Sequence, residues 1–314
     1  MGTAPTRRGS DGTRRIVRGS ILLAVGIWVA ATPEVAALPQ GPGALPRPAR
    51  RAPAARAAAR VRGTRPARPS PGVSYRKALV GRTPAHVVQV DLRREGIRVS
   101  AALTEWGIGG RESWPRFIAR TRPTAAITGT YFDTVTCIPV GSMMICGQQV
   151  HRGGVRTALA ITREGAARFV ASRNGLPYDW QRYETLIHAG PRLLTAGRMT
   201  LYPKAEGFRD RALFARKPRV AVGLTKSDKL LLVAVSRPIY LRDLARVMRA
   251  LGAQNAMALD GGGSTGIYYR GKSFAVPRRK LTNLLVVYET EDTYLRSARQ
   301  LAPSLRDTLL TRPQ

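Results

Sequence analysis

Residues 256–269 read AMALDGGGSTGIYY, and the rest of the chain can be organised around them. Ala256, Met257, Ala258 and Leu259 make an apolar run that ends on Asp260. Three glycines follow, then the hydroxyls of Ser264 and Thr265, then the β-prone run Ile267, Tyr268, Tyr269. The pattern predicts a buried strand that carries a carboxylate to its end, turns on glycine and continues as a strand. Gly261, Gly262 and Gly263 accept positive φ and allow close approach to the backbone, and successive N–H groups there can form an anion-binding nest. The competing reading is a glycine-rich hairpin with Asp260 as its turn residue. Three glycines exceed what a turn requires, so a site is favoured.

Outward from this stretch the signals alternate. Upstream, Leu241, Leu244, Ala245, Met248 and Leu251 share one helical face, and Gly252 ends it. Before that helix, residues 220–224 and 230–235 read as strands joined by a turn at 226–229. These elements predict a βαβ-like block. Downstream, residues 284–288 (LLVVY) read as a central strand, and residues 291–314 as a frayed helix or tail. Towards the N-terminus, residues 85–92 (AHVVQVDL) alternate as a strand, with residues 97–103 as the partner after a turn at 94–96. Residues 114–118 open a short helix with Ser113 as its cap and Pro115 in its first turn. Residues 125–129 form another strand, and residues 157–162 and 166–170 a hairpin. The fold class expected is α/β of the α+β type: a mixed β-sheet with helices packed against it, in one globular domain over residues 73–290. A dinucleotide-binding fold is excluded, because the glycine turn leads to a strand and not to a helix.

The first 72 residues are of another kind. Arg7, Arg8, Arg14, Arg15 and Arg18 precede the apolar run 21–31, and Val35-Ala36-Ala37 offers a small-residue cleavage site. Residues 1–37 therefore read as an export signal, or as an uncleaved N-terminal anchor. Residues 38–72 form a Pro/Ala/Arg linker almost without large apolar side chains, which cannot offset the entropy of ordering. The expected location is exported: periplasmic, cell-wall or extracellular. Cys137 and Cys146, the only cysteines, stand nine positions apart, and in an oxidising compartment they would close a local disulfide. The alternative is a pair of reduced thiols. Too few ligands surround them for a structural metal site.

The formal net charge is +33. Residues 1–72 hold 13 arginines against Asp11 and Glu34, a net +11, which leaves +22 for residues 73–314. So basic a chain calls for anionic partners, here a sugar-phosphate glycoconjugate or an anionic wall polymer. Specific nucleic-acid binding is not expected, since no recognition helix, zinc-finger spacing or RNA-binding aromatic motif is present. Membrane attachment is expected only through an uncleaved N-terminal segment.

Six motifs stand in one order: VVQVDL (87–92), ITGTYFD (127–133), AGPRLL (189–194), PRVAVGL (218–224), LARVMRALGAQNAMALDGGGST (244–265) and LTNLLVVY (281–288). In that order they resemble the phosphodiester glycosidase family, which includes enzymes that remove N-acetylglucosamine from phosphodiesters and many exported bacterial relatives. The resemblance covers roughly residues 85–289. It implies hydrolysis of a sugar-1-phosphodiester to a free sugar and a phosphomonoester. One departure is visible. The family usually has Asn-Gly at the first of these loops, and here Thr128 precedes Gly129, which replaces a donor-plus-acceptor amide by a single hydroxyl.

Such a substrate is an anion, so its site needs cations and N–H donors. Arg219, opening a strand after Pro218, is the candidate for bidentate phosphate contact. Asp260 is the candidate to deprotonate water or to stabilise an oxocarbenium-like transition state. Asp133 and Glu206 are candidates for a second carboxylate. His188 can titrate near neutrality and serve as acid or phosphate donor. Thr128, Gly129, Tyr131, Gly261, Gly262, Gly263, Ser264, Thr265 and Asn283 are candidates for substrate binding, Tyr131 by stacking on a sugar ring and Asn283 as a support. No cofactor is called for and no metal ligands are assigned, with a divalent cation left open. A nucleophilic triad is not indicated, since no nucleophile elbow is present. The alternative to an enzyme is a non-catalytic module that holds anionic wall polysaccharide through its basic surface.

Overall fold

The apolar runs become three antiparallel sheets in the computed structural model, which describes residues 72–172 and 179–303. In chain order the elements are β1 (Val73–Val80), β2 (Thr83–Asp91), β3 (Arg98–Leu103), α1 (Trp114–Thr121), β4 (Ala125–Thr128), β5 (Met143–Ile145), β6 (Gln148–His151) and β7 (Thr157–Thr162). There follow β8 (Ala167–Ala171), β9 (Tyr183–Ala189), β10 (Arg192–Thr195), β11 (Arg198–Met199), α2 (Arg211–Phe214), β12 (Lys217–Thr225) and β13 (Lys229–Ile239). The chain continues through α3 (Leu241–Ala250), β14 (Ala253–Leu259), β15 (Ile267–Tyr269), β16 (Lys272–Ala275), β17 (Asn283–Tyr288) and α4 (Glu291–Leu301). The expectations for residues 1–37, and for the linker as far as residue 71, lie outside the described residues.

The largest sheet has the order β1-β2-β13-β12-β14-β10-β11. Its central strands are buried on both faces because their side chains alternate between two cores. Val220, Val222, Leu230 and Leu232 meet Ile127, Leu285, Leu159 and Ile187 of the other two sheets. Ala221, Leu231 and Val233 pack instead under Leu244, Ala245 and Met248 of α3. The second sheet, β16-β15-β4-β17-β3, is covered on its far face by Trp114 and Phe117 of α1 and Tyr294 and Leu301 of α4. The third has the order β6-β5-β9-β7-β8. Residues 66–314 separate from the rest of the chain as one unit, and all the buried clusters among the described residues lie in it. That unit carries its own core, as an independently folding domain does. Among the described residues, no helix is long and apolar enough to cross a membrane.

Several expectations are corrected. The α+β class in a single globular domain holds, but within the sheets every strand pairing among the described residues is antiparallel. β13 and β14 do run parallel across α3, but β12 lies between them and pairs antiparallel with both. Residues 97–103 do not pair with residues 85–92. β3 joins β17 in the second sheet, while β2 pairs with β1 and β13, because strand alternation reports burial and not the partner. α4 is not frayed. The Thr290 hydroxyl caps it by accepting the Thr293 N–H, and Tyr294, Ser297 and Leu301 are buried. Finally, Cys137 and Cys146 are not joined in a disulfide. Cys146 Sγ lies 3.3 Å from the Tyr294 hydroxyl on α4, whereas Cys137 Sγ is directed at the Val135 carbonyl in its own loop.

Candidate active site

The site forms where two strands of different sheets end side by side. β14 delivers Asp260 in the large sheet, and β4 ends the second sheet's strand at Thr128. The Asp260 N–H donates to the Gly129 carbonyl at 2.9 Å and ties the two ends together. The glycine stretch is not a hairpin. It makes a short 3-10 turn, Gly262–Ser264, and passes the chain from the large sheet into β15 of the second. Two of its glycines are required by geometry. A Cβ on Gly261 would stand 2.7 Å from the Pro218 carbonyl oxygen, and Gly262 holds φ +59°.

Side chains behind the turn act as its frame. The Thr128 hydroxyl donates to the Ser264 carbonyl, so this buried side chain is engaged away from the cavity. Asn283 Oδ1 accepts the Thr130 N–H at 2.7 Å, and its Nδ2 donates to the Thr130 carbonyl at 3.2 Å and the Thr282 hydroxyl at 2.8 Å. Asn283 thereby pins the backbone that leads to Tyr131. Gly129 leaves room for it, since a Cβ there would sit 2.0 Å from Asn283 Oδ1.

In front of this frame lies a cavity of about 800 Å³, walled by residues 131–134, 206–210, 212–213 and 260–263 together with Val140, Gly154, Val155, Lys217, Arg219 and Arg279. Asp260 is 4% exposed. Burial pushes its carboxyl up to about 6, and the Arg279 guanidinium, whose Nη2 lies 3.1 Å from Oδ2, restrains the rise. Arg279 also donates from Nε to Ser264 Oγ at 2.5 Å and lies 4.7 Å above the Phe132 ring. Arg219 is 5% exposed. Its Nε donates to the Ile239 carbonyl at 3.2 Å, and its Nη2 to the Leu213 carbonyl at 2.7 Å and to that of Ala215. Only Nη1 remains for the cavity, which corrects the expected two-pronged phosphate contact. No carboxylate pairs with Arg219 among the described residues, and burial lowers its pKa. A buried guanidinium held only by carbonyl dipoles is a place for an external anion.

The two other carboxylates differ in kind. Asp133 is exposed, and its Oδ1 accepts the N–H groups of Val135 and Thr136 at 3.0 and 2.7 Å, which holds it ionised below the usual range. It caps a turn at the cavity wall. Glu206 is half-buried, accepts the Arg192 N–H at 2.8 Å and the Thr157 hydroxyl at 3.1 Å, and is shifted upward by burial. Tyr131 is shifted upward too, by burial and then by the Asp260 charge, and meets Phe208 edge-on at 6.1 Å between ring centres.

Of the residues singled out from the sequence, Asp260, Arg219, Asp133, Glu206, Tyr131 and Gly261–Gly263 line the cavity. Thr128, Gly129, Ser264, Thr265 and Asn283 stand behind it. His188 lies elsewhere. It is fully buried on β9, with Nδ1 3.3 Å from the Ser142 carbonyl and Nε2 3.1 Å from Ser172 Oγ, and it is not among the residues lining the cavity. Burial lowers its pKa to about 4, so it is neutral at physiological pH and supplies no charge to a phosphate. Arg279, Lys217 and Arg209 line the cavity unannounced. Arg279 belongs to the run Arg278-Arg279-Lys280, which in so arginine-rich a chain carries no signal of its own. Among the described residues, no three His, Cys, Asp or Glu side chains converge as metal ligands.

The family model described as phosphodiester glycosidase matches residues 121–288. A hypothetical protein from Synechocystis is similar in structure, with a TM-score of 0.61 at 17% identity over 68% of this chain, which spans only 61% of that protein's length. The catalytic domain of zebrafish N-acetylglucosamine-1-phosphodiester alpha-N-acetylglucosaminidase, auto-inhibited by its pro-peptide, is similar with a TM-score of 0.55 at 20% identity, over 69% of this chain and 82% of that one. A protein of Burkholderia pseudomallei K96243, provisionally described as exported, has a TM-score of 0.51 at 17% identity, over 66% of this chain and 74% of that one. At these identities the likeness concerns the fold alone. No curated protein matches the sequence.

Proposed function

The chain belongs to the phosphodiester glycosidase family, and we propose that it is an exported hydrolase that releases a sugar of the N-acetylglucosamine kind from sugar-1-phosphodiesters of envelope or extracellular glycoconjugates. One observation carries the reading: Arg219, buried without a carboxylate partner among the described residues, lines the same cavity as Asp260, whose pKa is about 6. An anionic group and a base are thus accommodated within one space.

In this reading Asp260, ionised at neutral pH, takes a proton from water. The water oxygen bonds to the anomeric carbon, and the bond from that carbon to the bridging oxygen breaks. The electron pair leaves with the phosphomonoester. Arg219 Nη1, Lys217, Arg279 and the N–H groups of the glycine turn face the accumulating negative charge. A phosphomonoester leaves readily, so little acid assistance is needed. Glu206, raised by burial, is the second carboxylate in reach of that task, while Asp133 is held ionised by its turn.

The test is release of phosphomonoester and free sugar from N-acetylglucosamine-1-phosphodiesters by residues 66–314, wild type beside Asp260→Ala. Turnover by the wild type alone supports the hydrolase. Silence in both, from folded protein and across several sugars, moves the assignment to a module that binds anionic wall polysaccharide.

A further inference from the structure

Two segments that wall the cavity, residues 133–140 and residues 202–214 with α2, and the loop 104–110 beside the first carry exposed apolar side chains. Of the ten large hydrophobic residues exposed among the described residues, six are Trp106, Ile108, Val135, Ile138, Tyr202 and Phe214. Val135 adjoins Thr134, Ile138 lies two residues before Val140, and Phe214 adjoins Leu213, all three neighbours being cavity wall. The Tyr202 carbonyl accepts the N–H of Glu206, another wall residue. The loop bearing Trp106 and Ile108 touches the loop bearing Val135, since a Cβ on Gly109 would lie 3.6 Å from the Thr136 carbonyl oxygen. Val135 is 88% exposed, Tyr202 67% and Trp106 57%, values without a folding rationale.

Cations are interleaved with these side chains. Lys204, Arg209 and Arg211 are exposed and form no side-chain hydrogen bond or ion pair among the described residues, and Arg116, ion-paired with Glu105, lies 5.0 Å over the Trp106 ring. Tryptophan, tyrosine and aliphatic side chains among the exposed cations Lys204, Arg209 and Arg211 match the headgroup layer of an anionic bilayer, where aromatic rings settle at the interface and each cation gains from the surface potential. A protein partner would call for a continuous apolar face, whereas these side chains stand on separate segments beside the cavity.

We propose that this rim seats the domain on an anionic lipid surface, so that the substrate is a glycosyl phosphodiester of a long-chain alcohol. The sugar phosphate then enters the cavity while the chain stays in the leaflet. The proposal rests on the hydrolase reading for its substrate, but the surface can be tested separately. It is a contact separate from the attachment that an uncleaved N-terminal segment would give.

Residues 66–314, which lack the apolar N-terminal run, are compared as wild type and as the Trp106→Ser/Val135→Ser/Tyr202→Ser variant. None of the three side chains lines the cavity. Both proteins are floated with vesicles of phosphatidylcholine, with and without phosphatidylglycerol. Both are assayed on the N-acetylglucosamine-1-phosphodiester of a long-chain alcohol embedded in those vesicles, and of a short, water-soluble alcohol. The wild type should float with the anionic vesicles only. The variant should lose flotation and at least about tenfold in rate on the embedded substrate, with the soluble rate unchanged. A variant that floats and turns over the embedded substrate like the wild type overturns the proposal, as does a wild type that stays with soluble polyanion in preference to the vesicles. A wild type silent on both substrates refutes the hydrolase reading, while flotation still scores the surface.

Discussion

Asp260→Asn should make the protein inactive and, at neutral pH, more stable. The Asp260 carboxyl has a pKa of about 6 in the folded state against 3.8 ordinarily, because burial opposes its charge more than Arg279 favours it. Between those two values the folded state binds more proton than the unfolded chain, so stability falls as pH rises from about 4 to 6, and the loss is complete above that window. A difference of about 2 in pKa, at about 1.4 kcal/mol for each, amounts to about 3 kcal/mol. Asparagine keeps the shape without the charge. Urea denaturation of both proteins across pH 4 to 7.5 should therefore show the variant gaining about 3 kcal/mol over the wild type towards the upper end, on top of any offset that does not vary with pH. Turnover should fall by about 10²- to 10⁴-fold, the usual contribution of a general base. A stability gap that is flat with pH would refute the assignment of a destabilised carboxylate, and a variant that still turns over would refute its catalytic role.

Three further expectations follow from the same geometry. The rate profile kcat/KM should rise with pH through about 6, and Arg279→Ala should move that limb upward, since the favouring charge is gone while the burial stays; a limb that moves down or not at all contradicts the pairing. Arg219→Lys should lower kcat/KM by about 100-fold, since a lysine cannot satisfy the carbonyls of Leu213, Ala215 and Ile239 and still face the cavity, and steady-state kinetics beside a melting curve will separate this from unfolding. Gly129→Ala places a methyl 2.0 Å from Asn283 Oδ1 and should cost about 1–3 kcal/mol by denaturant titration, with partial recovery in Gly129→Ala/Asn283→Ser.

The sequence by itself determined the pieces that local chemistry specifies. The 3.6-residue spacing of Leu241, Leu244, Ala245 and Met248 set α3, the apolar runs 220–224 and 230–235 set the central hairpin, and the run ending at Asp260 set β14 with its carboxylate at the tip. The motif order carried the family. What local chemistry does not specify is which strand lies beside which, because the same alternating pattern suits any buried partner. So residues 97–103 went to the second sheet, the two cysteines turned to different neighbours, and the glycine turn became a crossing between sheets. For the site the division is similar. Asp260, Arg219 and Tyr131 were legible because a strand end exposes its last residues to a cleft. The withdrawal of His188 into the core, the use of Thr128 and Asn283 as frame and the arrival of Arg279 beside Asp260 were decided only by the tertiary structure. Burial and charge proximity, which set each group's pKa and its freedom to meet a substrate, are properties of what the fold brings close and not of what the chain places next in line.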